Sequence, residues 1–235
     1  MKNNKRDCIV LTPPPKNKIA HQEWANWELI WYNEIGRKNF QKLLIPRGFK
    51  KILKNCIRNP NIRFVLMNIG LEVRHNKEFI KGHENFIIID KKLKIAEHFE
   101  PHGYILSEPN YNLPELYQTL TMFFDDFGYE FLQPNETCPL FSFQHIEEQY
   151  KSTVKDVGGY CAVWSYFYAD IRMANPDIPP LVLSTMILKE LKYKPKTFRK
   201  FIRNYSQFLL QEIHKLSKQP NIRKYIINQL IKYAE

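Results

Sequence analysis

The chain has 235 residues, 35 Lys and Arg against 24 Asp and Glu (formal net charge +11), and 44% hydrophobic residues. This is enough apolar material for one substantial domain, and no apolar run approaches a membrane span or follows the polar start as a secretory signal would. Cys8, Cys56, Cys138 and Cys161 are scattered with no pair at metal-ligand spacing, which predicts free thiols in a reducing, intracellular setting.

Residues 1–18 read as a flexible lead, with Pro13-Pro14-Pro15 as a stiff spacer. Between Gln22 and Leu44 the spacing predicts a helix, with Trp24, Trp27, Trp31 and Ile35 on one face. Arg63 to Val73 reads as a strand. Gly82 opens a buried strand, His83 to Asp90, whose hairpin partner runs from Leu93 to Glu100 and is stopped by Pro101 and Gly103. Leu113 to Phe127 predicts a helix, and Glu130–Leu132 and Leu140–Gln144 short strands.

A helix is predicted from Cys161 to Met173, ending before Asn175-Pro176. Beyond it lie basic helices around Leu181–Tyr193, Lys196–Leu216 and Ile222–Ala234. Residues 181–235 hold twelve Lys or Arg against three acids, a surface open to nucleic acid or an acidic protein, although no nucleic-acid motif accompanies it. The predicted architecture is α+β: a small, mainly antiparallel sheet packed against helices over residues 19–180, with 181–235 as a basic helical extension packed on the same domain.

Cys161 follows Gly158-Gly159-Tyr160 and opens an apolar, aromatic helix. Unpaired N–H groups and the helix dipole at such a position favour thiolate over thiol. A two-residue turn at Lys91-Lys92 sets Asp90 against Leu93, and so His83 against Glu100 on one side of the sheet, within reach of a hydrogen bond. A cysteine nucleophile requires a base, a group that orients the base and a donor to the oxyanion. His83 and Glu100 supply the first two; Gln144, at the end of a predicted strand, and Gln149, in the following loop, are the donor candidates.

In the order His, acid, Gln, Cys, these residues resemble the adenain/ULP-type cysteine peptidases, which include adenovirus-type maturation proteases and SUMO-specific proteases. The segments Gly82-His83-Glu84-Asn85, Phe99-Glu100-Pro101-His102-Gly103 and Gly158-Gly159-Tyr160-Cys161-Ala162-Val163-Trp164-Ser165 are most like divergent members from large DNA viruses. The resemblance covers roughly residues 60–175. It departs at Glu84, where many relatives carry tryptophan, and in the distance from glutamine to cysteine, which is longer here.

The resemblance implies a papain-like fold of the adenain/ULP type with Cys161 as nucleophile, His83 as general base, Glu100 as its orienter and Gln144 (or Gln149) as oxyanion donor. The reaction would be hydrolysis of a peptide or isopeptide bond through a thioester, with no metal or organic cofactor. Implied substrates are a viral polyprotein or a SUMO- or ubiquitin-like conjugate, and the implied setting is host cytoplasm or virion. Two alternatives stand beside it: a YopJ-type acetyltransferase using the same His, acid and Cys, and a basic nucleic-acid-binding or virion protein with a structural thiol. No membrane partner is expected.

Overall fold

The middle of the chain is rich in β-branched and aromatic runs, and these form the framework. The computed structural model describes residues 7–9, 29–38, 40–46, 48–104, 110–150 and 160–218. The strands are β1 (Asp7–Ile9), β2 (Leu29–Ile35), β3 (Gln41–Leu44), β4 (Phe64–His75), β5 (Glu78–Asp90), β6 (Ile95–Phe99) and β7 (Glu130–Leu132). They build one seven-stranded sheet in the order β3-β2-β4-β5-β6-β7, with β1 also paired to β4.

The fold is α+β, but the sheet is mixed rather than small and mainly antiparallel. Pairs β2–β3, β4–β5 and β5–β6 are antiparallel, whereas β1–β4, β2–β4 and β6–β7 are parallel. The parallel pairs arise where a helix lies between the strands: α1 (Phe49–Arg58) precedes β4, and α2 (Leu113–Asp125) precedes β7. Such a crossover brings the chain back in its original direction, which a tight hairpin cannot do.

The helix expected from Gln22 to Leu44 is instead the β2–β3 hairpin over its described part; Trp24 and Trp27 lie outside the described residues. Leu29, Ile30 and Trp31 are buried consecutively, as in a strand covered on both faces, where a helical stripe and a buried strand give the same apolar signal. The proposed flexible lead includes β1. Cys8 on β1 is joined to Cys56 on α1 by a disulfide with a Cα–Cα separation of 5.9 Å, so two of the four expected free thiols are paired. The two lie 48 residues apart, and only the parallel docking of β1 on β4 brings them together.

The sheet is buried on both sides. Along β5, Ile87 and Ile89 enter one apolar cluster with residues of α1 and α2, while Phe86 and Ile88 enter a second. That second cluster is completed by α4 (Phe143–Glu148), α5 (Cys161–Ala174), α6 (Pro180–Glu190) and α7 (Pro195–Ser217), through Phe143, Trp164, Tyr168, Leu188, Phe198 and Ile202. A short helix, Pro134–Thr137, is α3 in chain order. The helix expected at Ile222–Ala234 lies outside the described residues. No helix among the described residues is long and apolar enough to cross a membrane.

Two local expectations near the site are also corrected. Leu140–Gln144 is not a strand; the chain enters α4 at Phe143. The backbone N–H groups of Ser142 and Gln144 donate to the carbonyls of His102 (2.9 Å) and Pro101 (2.9 Å), so a distant turn satisfies donors that a helix start leaves open. The β5–β6 hairpin pairs Asp90 with Ile95 and Phe86 with Phe99, not Asp90 with Leu93. The Asp90 carboxylate accepts from the N–H of Lys92 (2.9 Å) and Leu93 (3.3 Å) and so holds a longer turn than the two lysines alone.

Candidate functional site

His83 sits on β5 opposite Leu71 of β4, before β5 begins to pair with β6 at Phe86. With the register as observed, Glu100 does not oppose His83; it is the first residue after β6. The two still meet: His83 Nε2 is 2.7 Å from Glu100 Oε1, and both residues are buried. A register slip of two residues preserves the face of the sheet, so the pairing survives a wrong register.

A tight turn places Glu100. The Gly103 N–H donates to the Glu100 carbonyl at 3.0 Å, and Gly103 has φ +103°. A Cβ at Gly103 would lie 2.4 Å from the Leu140 carbonyl oxygen, so both the conformation and the space require glycine. The Glu100 N–H donates to Cys138 Sγ at 3.3 Å, and the His102 N–H donates to Glu100 Oε1 at 2.9 Å. Burial works to neutralise Glu100, but the neighbouring His83 and His102 hold its carboxyl well below the ordinary range.

Cys161 is the first residue of α5, after Tyr160 at the N-cap, and is partly exposed. Tyr168 and Trp164 of the same helix are fully buried and anchor it against Phe99 and Phe143, with the Phe99 and Tyr168 rings stacked at 4.0 Å. The Cys161 thiol is near enough to His83 to act on its charge state, and it favours the protonated ring. Glu100 engages His83 Nε2, so Nδ1 is the ring nitrogen that the carboxylate leaves over. Burial lowers the His83 pKa, but Glu100 and Cys161 outweigh it, and the net effect is a raised value that favours the imidazolium.

Gln144 lies on α4, buried, and its Nε2 donates to Glu148 Oε1 at 2.8 Å. The other Glu148 oxygen is 3.1 Å from His102 Nε2. His102 in turn faces His83, with Nδ1 3.4 Å from His83 Nε2 and the ring centroids 4.8 Å apart. A continuous polar chain thus runs His83, Glu100, His102, Glu148, Gln144. Gln149 is exposed at the C-cap of α4. Of the two donor candidates, the structure ties Gln144 to the cluster.

Sequence reasoning missed His102 and Glu148. His102 sits two residues after the acid in the turn that Gly103 closes. Glu148 lies four residues after Gln144, a one-turn helical spacing that is informative only once the segment is helical. Of the two thiols outside the disulfide, Cys138 is fully buried and pushed up to about 12 by that burial, which leaves Cys161 as the accessible one.

No protein-family model matches the chain. It is similar to a protein of Acanthamoeba polyphaga mimivirus bearing the name "Putative ankyrin repeat protein L371", with 25% identity over 225 residues. That match takes in 89% of this chain but spans only 28% of the viral protein. The described residues here are organised around a mixed sheet, unlike the stacked helix pairs of ankyrin repeats.

Proposed function

We propose that this chain is a thiol-dependent peptidase with a papain-like fold of the adenain/ULP type, cleaving peptide or isopeptide bonds through a thioester. One observation carries the reading: a buried histidine meets a buried carboxylate at 2.7 Å near an accessible cysteine at a helix N-terminus. In this reading Cys161 attacks the substrate carbonyl as thiolate, paired with protonated His83. Backbone N–H groups at the start of α5, with the Gln144 amide, stabilise the oxyanion, each donor contributing about 3 kcal/mol. His83 then protonates the leaving amine, and a water activated by the same imidazole releases the acyl group.

The similarity to a mimivirus protein agrees with a viral setting, in which a core or capsid polyprotein or a ubiquitin-like conjugate would be the substrate. The test uses the intact chain. Iodoacetamide at neutral pH should alkylate Cys161 at least tenfold more slowly in His83→Ala, and an electrophile built on a SUMO or ubiquitin C-terminus, or a candidate polyprotein, should report acylation or cleavage lost in Cys161→Ser. Alkylation unchanged in His83→Ala would overturn the reading. Acetyl-CoA-dependent transfer by the same residues would redirect it to an acetyltransferase.

A further inference from the structure

His83 Nε2, Glu100 Oε1 and His102 Nδ1 lie within 4.8 Å of one another, the only such ligand group among the described residues. The three separations are 2.7 Å (His83–Glu100), 3.4 Å (His83–His102) and 3.7 Å (Glu100–His102). A tetrahedral zinc with bonds of about 2.0–2.1 Å places its ligand atoms about 3.3 Å apart. The triangle therefore brackets the span zinc needs, and one edge must open by about half an ångström.

Three further features fit a metal site. Two histidines and one glutamate are the ligand set used where zinc keeps a fourth position open. His83 and Glu100 are almost fully buried while the His102 side chain is 22% exposed, so an ion has an entry side. The ring nitrogen of His102 that faces away from the triangle meets Glu148 Oε2 at 3.1 Å, the carboxylate–histidine pairing that orients metal-bound imidazoles.

We propose that His83, Glu100 and His102 form an inhibitory binding site for a zinc-class divalent ion, with Glu148 holding His102 in position and water in the fourth place. Binding itself is independent of the peptidase reading; only its inhibitory consequence rests on that reading. An imidazole that gives its Nε2 lone pair to a metal keeps its remaining proton on Nδ1. It then has no lone pair with which to accept the thiol proton, and Glu100 is drawn from orienting His83 to ligating the ion. The metal thus acts as a reversible block on the base and takes no part in the reaction.

The probe is cobalt(II), titrated into the full chain and followed by visible absorption and calorimetry, with zinc as competitor. The expected result is one ion per chain with the intense visible bands of low-coordinate cobalt and no thiolate-to-cobalt charge-transfer band. His102→Ala should weaken binding at least tenfold, and Glu148→Gln, an exposed position that tests the same site without risk to folding, by about tenfold or less. Zinc should slow Cys161 alkylation in the unmodified chain and a chelator should restore it, whereas in His102→Ala zinc should have no effect whatever that variant's own rate. Equal affinity in His102→Ala, or a thiolate band that disappears in Cys161→Ser, would overturn the assignment. Failure of the peptidase reading shows separately, in the metal-free alkylation and cleavage assays.

Discussion

The two faces of the sheet bury polar groups in opposite ways. On the face covered by α5, buried charges come in pairs that cross between elements: Arg172 Nε meets Glu97 Oε1 at 2.8 Å, and Arg63 meets Asp90 at 2.8 Å. Nearby, Arg199 of α7 meets Glu147 of α4 at 2.5 Å. On the face covered by α1 and α2 the filling is nearly all apolar, and His98 is buried among Tyr117 and Phe131 with no hydrogen-bond partner for either ring nitrogen among the described residues. A carboxyl group that stays charged when buried needs a cation beside it, whereas an imidazole can enter an apolar layer by giving up its proton. The candidate site lies where β6 ends, and it uses the first solution, with histidine in place of arginine.

The comparison breaks most severely at Arg172. Replacement by Met leaves Glu97 buried without its partner and should cost about 3–5 kcal/mol in urea denaturation. The double replacement Glu97→Leu with Arg172→Met should recover most of that loss, because no charge then remains to be buried. A double variant as unstable as the single one would show that the pair is needed for packing rather than for charge.

The other face should respond to pH. Burial lowers His98 from 6.5 to about 4, opposed by Glu100 and reinforced by His83. The neutral ring therefore contributes stability above pH 6.5 that is lost as the pH falls through about 4. The loss is on the order of 3 kcal/mol at most. His98→Phe should flatten the stability profile across that window relative to the unmodified chain. Parallel profiles would mean that the ring does not control acid sensitivity.

Smaller effects are expected where the faces meet. Gly103→Ala introduces a strained φ and a clash with the Leu140 carbonyl, and should cost about 2 kcal/mol in thermal or urea unfolding while displacing the turn that holds Glu100. In the proposed peptidase, Glu148→Gln should lower kcat about fivefold, roughly 1 kcal/mol, with KM little changed, because Glu148 positions Gln144 and His102 without touching substrate. A change confined to KM would place Glu148 in substrate binding instead.

Local pattern made several elements legible. The aromatic α5 and the amphipathic α2 lie close to their expected limits, since each carries its own periodicity and stop signals, whereas β5 ends at Asp90 as expected but begins at Glu78, five residues before His83. The His83–Glu100 contact and the helix start at Cys161 were legible because a hairpin and a helix start constrain a few side chains strongly, even with the hairpin register wrong by two residues. The β2–β3 region was misread because consecutive buried apolar residues look the same in a central strand and in a helix.

What the sequence determined by itself was therefore the α+β class and the meeting of His83 with Glu100. Tertiary structure alone decided the parallel pairings, the Cys8–Cys56 bridge, the helical setting of Gln144 and the inclusion of His102 and Glu148. Each of these depends on contacts between segments far apart in the chain. Periodicity reports which residues face a core, but not which other segment will be on the far side of it.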